Sequence, residues 1–201
     1  MKLLRPCLVT TALLLALSCA VYPAAVTAIA RLAFPRAAEG SVLVRDGRVV
    51  GSSLVGQAFA DPAAHPAYFW GRPSAASVDK DTGVLVSGGS NLGPLNAALA
   101  DDVAARVKLL RDAGVVGPIP ADLVTRSASG LDPHLSPDAA LVQVGRVARA
   151  RGLPEWTVRQ LVAEHTEPST FGLLGAPRVN VLELDLALDR LARPPAPPVA
   201  R

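Results

Sequence analysis

The first 30 residues form the longest apolar stretch of the chain. Between Arg5 and Arg31 lie 25 residues, Pro6 to Ala30, without a charged side chain. At about 1.5 Å per residue, a helix of this length exceeds a hydrocarbon core of about 30 Å. The pattern predicts one transmembrane helix over about residues 7–30, within an N-terminal segment of residues 1–35.

A cleaved signal peptide is the alternative for this stretch. Lys2 and Arg5 precede a short apolar core, and small residues follow it near Ser18, as in a secretory signal. The apolar sequence continues as far as Ile29, however, so cleavage near residue 20 would leave an apolar N-terminus on the mature protein. The longer pattern therefore favours a retained anchor.

Pro23 lies inside the predicted span. Proline removes one backbone hydrogen bond and kinks a helix, and neighbouring helices in a membrane can satisfy the freed carbonyl group. We therefore predict Pro23 as a partner-docking residue, with a kink in a lipid-facing helix as the alternative. The basic residues at the two ends leave the orientation open; a leading anchor with Lys2 and Arg5 at its start favours a cytoplasmic N-terminus and a domain outside.

The pattern changes after Pro35 to short apolar pieces separated by turn residues. Asp46 and Gly47 lie between two β-branched runs and predict a β-hairpin. Residues 60–96 are rich in Pro, Gly, Ser and Asn and predict a long irregular segment, of the kind that is functional or disordered. Three neighbouring aromatic residues indicate that this segment is pinned to a surface or a core: Tyr68, Phe69 and Trp70.

The second half of the chain has the periodicity of helices. Apolar residues recur three or four positions apart over four segments, each with helix-start or helix-stop signals. The predicted helices span residues 97–113, 137–151, 154–167 and 181–193. The fold class is therefore α+β: one transmembrane helix, then a soluble extracytoplasmic domain over 36–193 with a short N-terminal hairpin or sheet and about four helices. The proline-rich residues 194–201 predict a disordered tail.

The formal net charge of +3 comes from scattered arginines. The sequence has no run of basic residues that could follow a phosphate backbone, so nucleic acid is excluded as a predicted partner. The two cysteines, Cys7 and Cys19, lie in the predicted span. The soluble domain thus suits an oxidising compartment without a disulfide framework.

Two segments contain side chains capable of chemistry. Ser129, Asp132 and His134 stand close together, which leaves a membrane-anchored hydrolase as one hypothesis, although the segment lacks the spacing of a nucleophile elbow and favours turn and cap roles. The histidines lack the spacing of metal ligands, so no metal is predicted.

The glycine–serine block, residues 87–91, is the second candidate. Adjacent glycines flanked by hydroxyl and amide side chains can present backbone amides to an anion or to the loop of another chain. The block is not a Walker A motif, because no lysine follows it. An ordinary tight turn is the alternative. The residues concerned are Ser87, Gly88, Gly89, Ser90 and Asn91.

Six separated blocks carry a family resemblance. They are "GSSLVGQAF" (51–59), "YFWGRPS" (68–74), "SGGSNLGPLN" (87–96), "SASGLDPHLSPDAA" (127–140), "QVGRVARARG" (143–152) and "RVNVLELDLALD" (178–189). In this order, behind an anchor ending in "YPAAVTAIARLAFP", the chain resembles the C subunit of Kdp-type potassium-transporting P-type ATPases.

The resemblance implies an accessory subunit without a catalytic site of its own. Its implied partners are a channel-like potassium-translocating subunit and a P-type ATPase subunit, together with the lipid bilayer of the cell (inner) membrane. It implies no tightly bound cofactor and a chaperone role that raises the ATP affinity of the ATPase subunit, with ATP shared between them and the glycine–serine block facing the nucleotide.

An outward domain cannot touch cytoplasmic ATP, which leaves docking over the channel-like subunit as the other interpretation. The predicted docking residues are Pro23, Tyr68, Phe69, Trp70 and Arg72. A stand-alone extracytoplasmic ligand-binding domain stays open beside the hydrolase.

Overall fold

The computed structural model describes residues 3–57, 59, 62–74 and 76–191. These residues form two compact units, which divide between Ser52 and Ser53. The predicted hairpin lies in the first unit with the apolar helix. The predicted division at residue 35 stays a prediction.

The first unit begins with a helical segment of 30 residues, Leu4–Ala33, which is the one helix in the described part of the chain long and apolar enough to cross a membrane. It consists of α1 (Leu4–Ala16), a π-helical turn (Leu17–Val21) and α2 (Tyr22–Ala33). The wider turn ends two residues before Pro23, whose ring would otherwise press on the carbonyl group four residues earlier. The distortion expected at Pro23 takes the form of this turn.

A short helix, α3 (Pro35–Ala38), leads into the predicted hairpin. Its strands are β1 (Val42–Arg45) and β2 (Arg48–Ser52), paired antiparallel with a register shift between Leu43 and Val44. Asp46 and Gly47 have φ angles of 51° and 75°. Positive φ at both central residues is the geometry of a tight hairpin turn, so this prediction is confirmed.

The second unit contains the remaining elements. Its strands are β3 (Ser77–Val78), β4 (Leu85–Val86), β5 (His134–Leu135), β6 (Thr166–Glu167) and β7 (Arg178–Asn180). Its helices are α4 (Ala97–Asp112), α5 (Pro137–Leu141), α6 (Val144–Arg151), α7 (Glu155–Glu164) and α8 (Val181–Leu191). Together with the apolar helix they confirm the α+β fold class.

Three helix starts follow from local side chains. The side chains of Asn96, Ser136 and Asn180 accept hydrogen bonds from the backbone N–H groups of Ala98, Ala139 and Glu183. Such caps satisfy donors that a helix leaves unpaired at its first turn. The predicted helices at 97–113 and 181–193 are confirmed, with residues 192 and 193 and the predicted tail outside the described residues.

The helix predicted over 137–151 is wrong in one respect, because it is interrupted at Val142 and Gln143 and forms α5 and α6. The Gln143 N–H bonds to the carbonyl of Ala140, three residues back, which tightens the chain there. The helix predicted over 154–167 ends at Glu164, and Thr166–Glu167 forms β6 instead.

A small antiparallel sheet, in the order β5-β7-β6, was not predicted. Its central strand, Arg178–Asn180, runs directly into α8. The core of the unit is formed by residues of this sheet and of helices α4 to α8, and Phe69 and Trp70 are only 1% exposed within it.

A buried polar network fixes the segment that carries these aromatic residues. The fully buried Gln143 side chain accepts from the N–H of Trp70 at 2.9 Å and donates to its carbonyl at 3.0 Å. Arg146 donates to the carbonyls of Pro66 and Tyr68 at 2.6 and 2.9 Å, and its guanidinium lies 4.0 Å from the Trp70 ring centroid. The side chains of Gln143 and of Arg146 in α6 thus replace a neighbouring strand as partners for this backbone.

Asp185 closes the network from α8. Its carboxylate accepts from the Phe69 N–H at 2.9 Å. Burial raises the pKa of Asp185 to about 8, against opposing contributions from the Phe69 hydrogen bond and from Arg151 and Arg146. Burial likewise lowers the pKa of Arg146 to about 10, which Asp185 partly offsets.

The stability of the folded chain should consequently depend on pH through Asp185. Between an unfolded pKa of about 3.9 and the raised folded value, the folded chain binds more protons. Stability is therefore highest below that window and falls as pH rises through it.

We expect the unfolding midpoint of the full chain in detergent to fall from pH 5 to pH 8.5. Asp185→Asn should flatten that slope, while its side-chain oxygen still accepts a hydrogen bond from the Phe69 N–H. Asp138→Asn, at an exposed position, should leave the slope unchanged; a steep slope in the Asp185→Asn variant would contradict the assignment.

Candidate functional site

One loop of the second unit gathers several of the segments singled out in the sequence. The 127–132 loop runs from Ser127 to Asp132 and leads through Pro133 into β5. Its own side chains shape it: the Ser127 hydroxyl accepts from the N–H of Asp132 at 3.4 Å, and the Ser129 hydroxyl accepts from the N–H of Leu131 at 3.1 Å. Such short-range bonds are typical of Ser-rich turns.

Three earlier positions bind the 127–132 loop on one side. The Gly56 N–H donates to the carbonyl of Leu131 at 2.8 Å. The Arg72 guanidinium forms an ion pair with Asp132 at 3.2 Å and also donates to the carbonyl of Arg126. The Ser74 hydroxyl donates to the carbonyl of Gly130 at 3.3 Å. Segments 56 and 72–74 thus meet the loop although about 55 to 75 residues separate them from it.

The glycine–serine block lies against the same loop. The Ser87 hydroxyl donates to the carbonyl of Ser129 at 2.7 Å. A Cβ atom on Gly89 would lie 3.1 Å from the Ala128 carbonyl oxygen, whereas Gly88 has open space around it. Asn91 adopts a left-handed conformation with φ of 53°. Within the block, the glycine at position 89 therefore allows close approach of two backbones.

The three residues of the hydrolase hypothesis have other partners. Ser129 Oγ lies 3.3 Å from Ser127 Oγ. His134 Nδ1 lies 3.3 Å from Asp132 Oδ1, which also accepts from the His134 N–H at 3.0 Å. A nucleophile requires its hydroxyl within hydrogen-bond reach of the base, and in the described residues no hydrogen bond joins Ser129 to His134. Asp132 and Ser136 act as turn and cap residues.

Two openings of the second unit are larger than the small cavity that Gly56, Gly71 and Asp132 line. A cavity of about 250 Å³ is lined by Ser90, Arg106 and Arg126 among others. A separate cleft of about 640 Å³ is lined by Ile119, Leu141, Arg149 and Glu155 among others. No group of three or more His, Cys, Asp or Glu residues within the described part of the chain could hold a metal ion. The ligand-binding alternative stays a prediction.

The structure separates the predicted docking residues into two kinds. Phe69 and Trp70 are core side chains, which confirms that the aromatic segment is pinned but leaves no side-chain surface at these two positions for a partner. Tyr68 is half-buried beneath the Arg151 guanidinium, and Arg72 faces Asp132. Pro23 is exposed in the apolar helix. Docking through Tyr68, Arg72 and Pro23 stays a prediction.

Sequence reasoning missed two residues of this region. Gly56 was not singled out, although a Cβ atom there would lie 2.7 Å from the Asp132 carbonyl oxygen. Gln143 was not recognised as the partner of Trp70. One local signal could have pointed to a buried polar contact. The amide side chain of Gln143 stands in an otherwise apolar run of residues between Ala140 and Val144.

The sequence relationships agree with the resemblance of the six blocks. The family model described as "K+-transporting ATPase, c chain" matches residues 4–190. The chain is 55% identical to a protein of Polaromonas naphthalenivorans over 198 residues, which cover 98% of both chains. It is 54% identical to one from Gemmatimonas aurantiaca over 96% of this chain and 94% of that one. A relative from Sorangium cellulosum is 58% identical over 92% of this chain and 96% of its own.

Each of these three relatives is named "Potassium-transporting ATPase KdpC subunit". The matches extend through the apolar helix, the aromatic segment, the glycine–serine block and α8. They confirm the family that the order of blocks suggested. The chain therefore belongs to the KdpC family, the c chains of potassium-transporting ATPases.

Proposed function

We propose that the chain is a non-catalytic accessory subunit of an ATP-driven potassium uptake complex. In this proposal it stabilises the assembly of a channel-like subunit and a P-type ATPase subunit and raises the affinity of the ATPase subunit for ATP. Membership of the c-chain family supports the complex. The apolar helix Leu4–Ala33 supports a single-pass anchor in the cell membrane.

The observation that carries the proposal is the way the glycine–serine block is held. The Ser87 hydroxyl donates its hydrogen bond to the Ser129 carbonyl. The backbone of Gly89 packs closely on the backbone of Ala128. A phosphate cradle instead turns its backbone amides and hydroxyls outward to the anion. This supports an indirect effect on ATP, exerted through docking of the fitted loops on the other subunits.

The proposed topology makes the indirect effect necessary. With Lys2 and Arg5 on the cytoplasmic side, the second unit lies outside the cell, where cytoplasmic ATP cannot reach it. Lys80, exposed between β3 and β4, is a suitable reporter. In a background with Cys7→Ser and Cys19→Ser, Lys80→Cys should react with a membrane-impermeant thiol reagent in intact cells. Labelling of this cysteine only after the cells are broken would instead place the second unit in the cytoplasm, where direct contact with ATP is possible.

The chaperone effect is tested on the purified complex. ATP hydrolysis is measured as a function of ATP concentration for the complex with and without this chain. We expect the KM for ATP to rise several-fold when the chain is absent, because the chain is proposed to raise the ATP affinity of the ATPase subunit. The chain is proposed to take no part in the hydrolysis step itself. An unchanged KM in a complex that otherwise assembles would contradict the chaperone role and leave only the assembly role.

A further inference from the structure

A short turn between β6 and β7 presents large apolar side chains to the outside. The 169–174 turn runs from Ser169 to Leu174. Phe171 is 89% exposed, Leu173 87% and Leu174 63%. Nothing in the proposed function uses them, and they lie outside the six blocks that carried the resemblance.

The turn is rigidly built despite its exposure. Its backbone is closed by four hydrogen bonds: the N–H groups of Gly172, Leu173 and Leu174 donate back to Ser169 or Thr170, and the N–H of Thr170 donates to Leu174. At its base Glu167 pairs with Arg178 across the two strands, with an ion pair of 2.8 Å. A turn closed in this way can enter an apolar site with few backbone groups left to desolvate.

Phe171 has an unfavourable backbone conformation. Its φ angle is 55°, in the left-handed region that bulky residues rarely adopt. The cost is of the order of 1 kcal/mol or more. Because Phe171 is 89% exposed, contacts with the described residues offset little of that cost, whereas an external contact would offset it.

From this geometry we infer that the 169–174 turn is an apolar plug that inserts into a pocket on another subunit of the potassium-transporting ATPase. The inference rests on the proposed assembly role. Phe171 is its central side chain, with Leu173 and Leu174 beside it.

The size and charge of the 169–174 turn favour a pocket on another subunit over two other partners, a second copy of the chain and an anionic lipid surface. A buried aromatic side chain removes about 150–250 Å² from water, and one Phe with two smaller Leu side chains supplies a few hundred Å², whereas a stable dimer of two copies buries about 800 Å² on each. The few hundred Å² that the turn would bury is the area of a few hot-spot side chains that fill a pocket on a partner. Residues 168–177 carry no charge, whereas segments that lie on anionic lipid are rich in Lys and Arg.

The inference is tested by photo-crosslinking from position 171. Benzoylphenylalanine is incorporated in place of Phe171 in the full chain, and membranes holding the complex are irradiated. We expect a covalent adduct with another subunit of the ATPase, identified by mass spectrometry. The same probe in place of Trp156, which is 67% exposed on α7, should give at most a small fraction of that yield.

Other outcomes would overturn the inference. An adduct with a second copy of the chain, an adduct with lipid alone, or no adduct at all would each do so while the unmodified chain still copurifies with its subunits. Failure of the unmodified chain to copurify would contradict the proposed function instead, so the two failures are distinguishable.

Phe171→Gly separates docking from a structural role. Glycine adopts positive φ without strain, so this variant should keep or raise the unfolding midpoint of the isolated full chain. Its affinity for the other subunits should fall about tenfold or more, as expected for a hot-spot aromatic residue. Trp156→Gly should leave that affinity within about twofold. Undiminished binding by Phe171→Gly would exclude the plug.

Discussion

Replacement of Gln143 by leucine is expected to lower the free energy of unfolding of the chain by about 3–5 kcal/mol, because it strands several buried polar groups at once. Gln143 is fully buried and its amide pairs with both backbone groups of Trp70. Its Nε2 also donates to the Ala139 carbonyl, and its Oε1 accepts from Arg146 at 2.6 Å. Leucine fills a similar volume but pairs none of these groups, so the loss comes from desolvation and not from a cavity.

The measurement is denaturant unfolding of the full chain in detergent, followed by Trp fluorescence. Gln160→Leu is the matched control, since Gln160 is exposed on α7 and its side-chain amide donates to the exposed Glu164; it should change stability by about 0.5 kcal/mol or less. Gln143→Glu keeps the acceptor for Trp70 and Arg146 but turns a carboxylate oxygen toward two carbonyls, so it should fall between the two. A Gln143→Leu variant as stable as the control would show that the network contributes little.

The helices and the hairpin could be predicted because their determinants are local. Asn96, Ser136 and Asn180 each cap the helix that follows within three residues, and Asp46–Gly47 sets the hairpin turn by its own backbone preference. These signals require no knowledge of what lies elsewhere in the chain. The same is true of the apolar helix, whose length alone indicates a span.

The features that were missed depend on distant partners. The interruption between α5 and α6 occurs at Gln143, whose side chain bonds Trp70, 73 positions away in the sequence. The strands β5, β6 and β7 have two or three residues each, too few for a period of two to be visible. Sequence periodicity therefore found where helices lie and not where they break.

The candidate site was foreseen as separate segments and not as an assembly. The glycine–serine block and the Ser127–Asp132 segment were each singled out, yet only the structure joins them through Ser87 and Ser129. The weak local signal of two glycines could not distinguish a phosphate cradle from a packed turn. The structure adds that a Cβ at position 89 would meet the Ala128 backbone, and the nucleotide-facing role of the block stays a prediction.

The most sensitive point of that assembly is Gly56, where even one added methyl group is expected to disrupt the junction. A Cβ atom would lie 2.7 Å from the carbonyl oxygen of Asp132 and 3.2 Å from its carbonyl carbon, and both are backbone atoms that cannot rotate away. Gly56→Ala should therefore lose about 1–3 kcal/mol of stability, as overpacked sites do. Because the Gly56 N–H to Leu131 bond and the Arg72–Asp132 ion pair share this backbone, copurification with the other subunits should fall as well.

Gly71→Ala is the matched control for this prediction, because Gly71 lines the same small cavity as Gly56 and a Cβ there would meet nothing within 4 Å. It should leave both the unfolding midpoint and copurification close to those of the unmodified chain. If Gly56→Ala lowers stability while copurification is kept, the junction supports the fold without forming the docking surface. If both variants behave alike, the close approach of Gly56 to Asp132 is not a determinant of either property, and the docking surface must be sought away from the 127–132 loop.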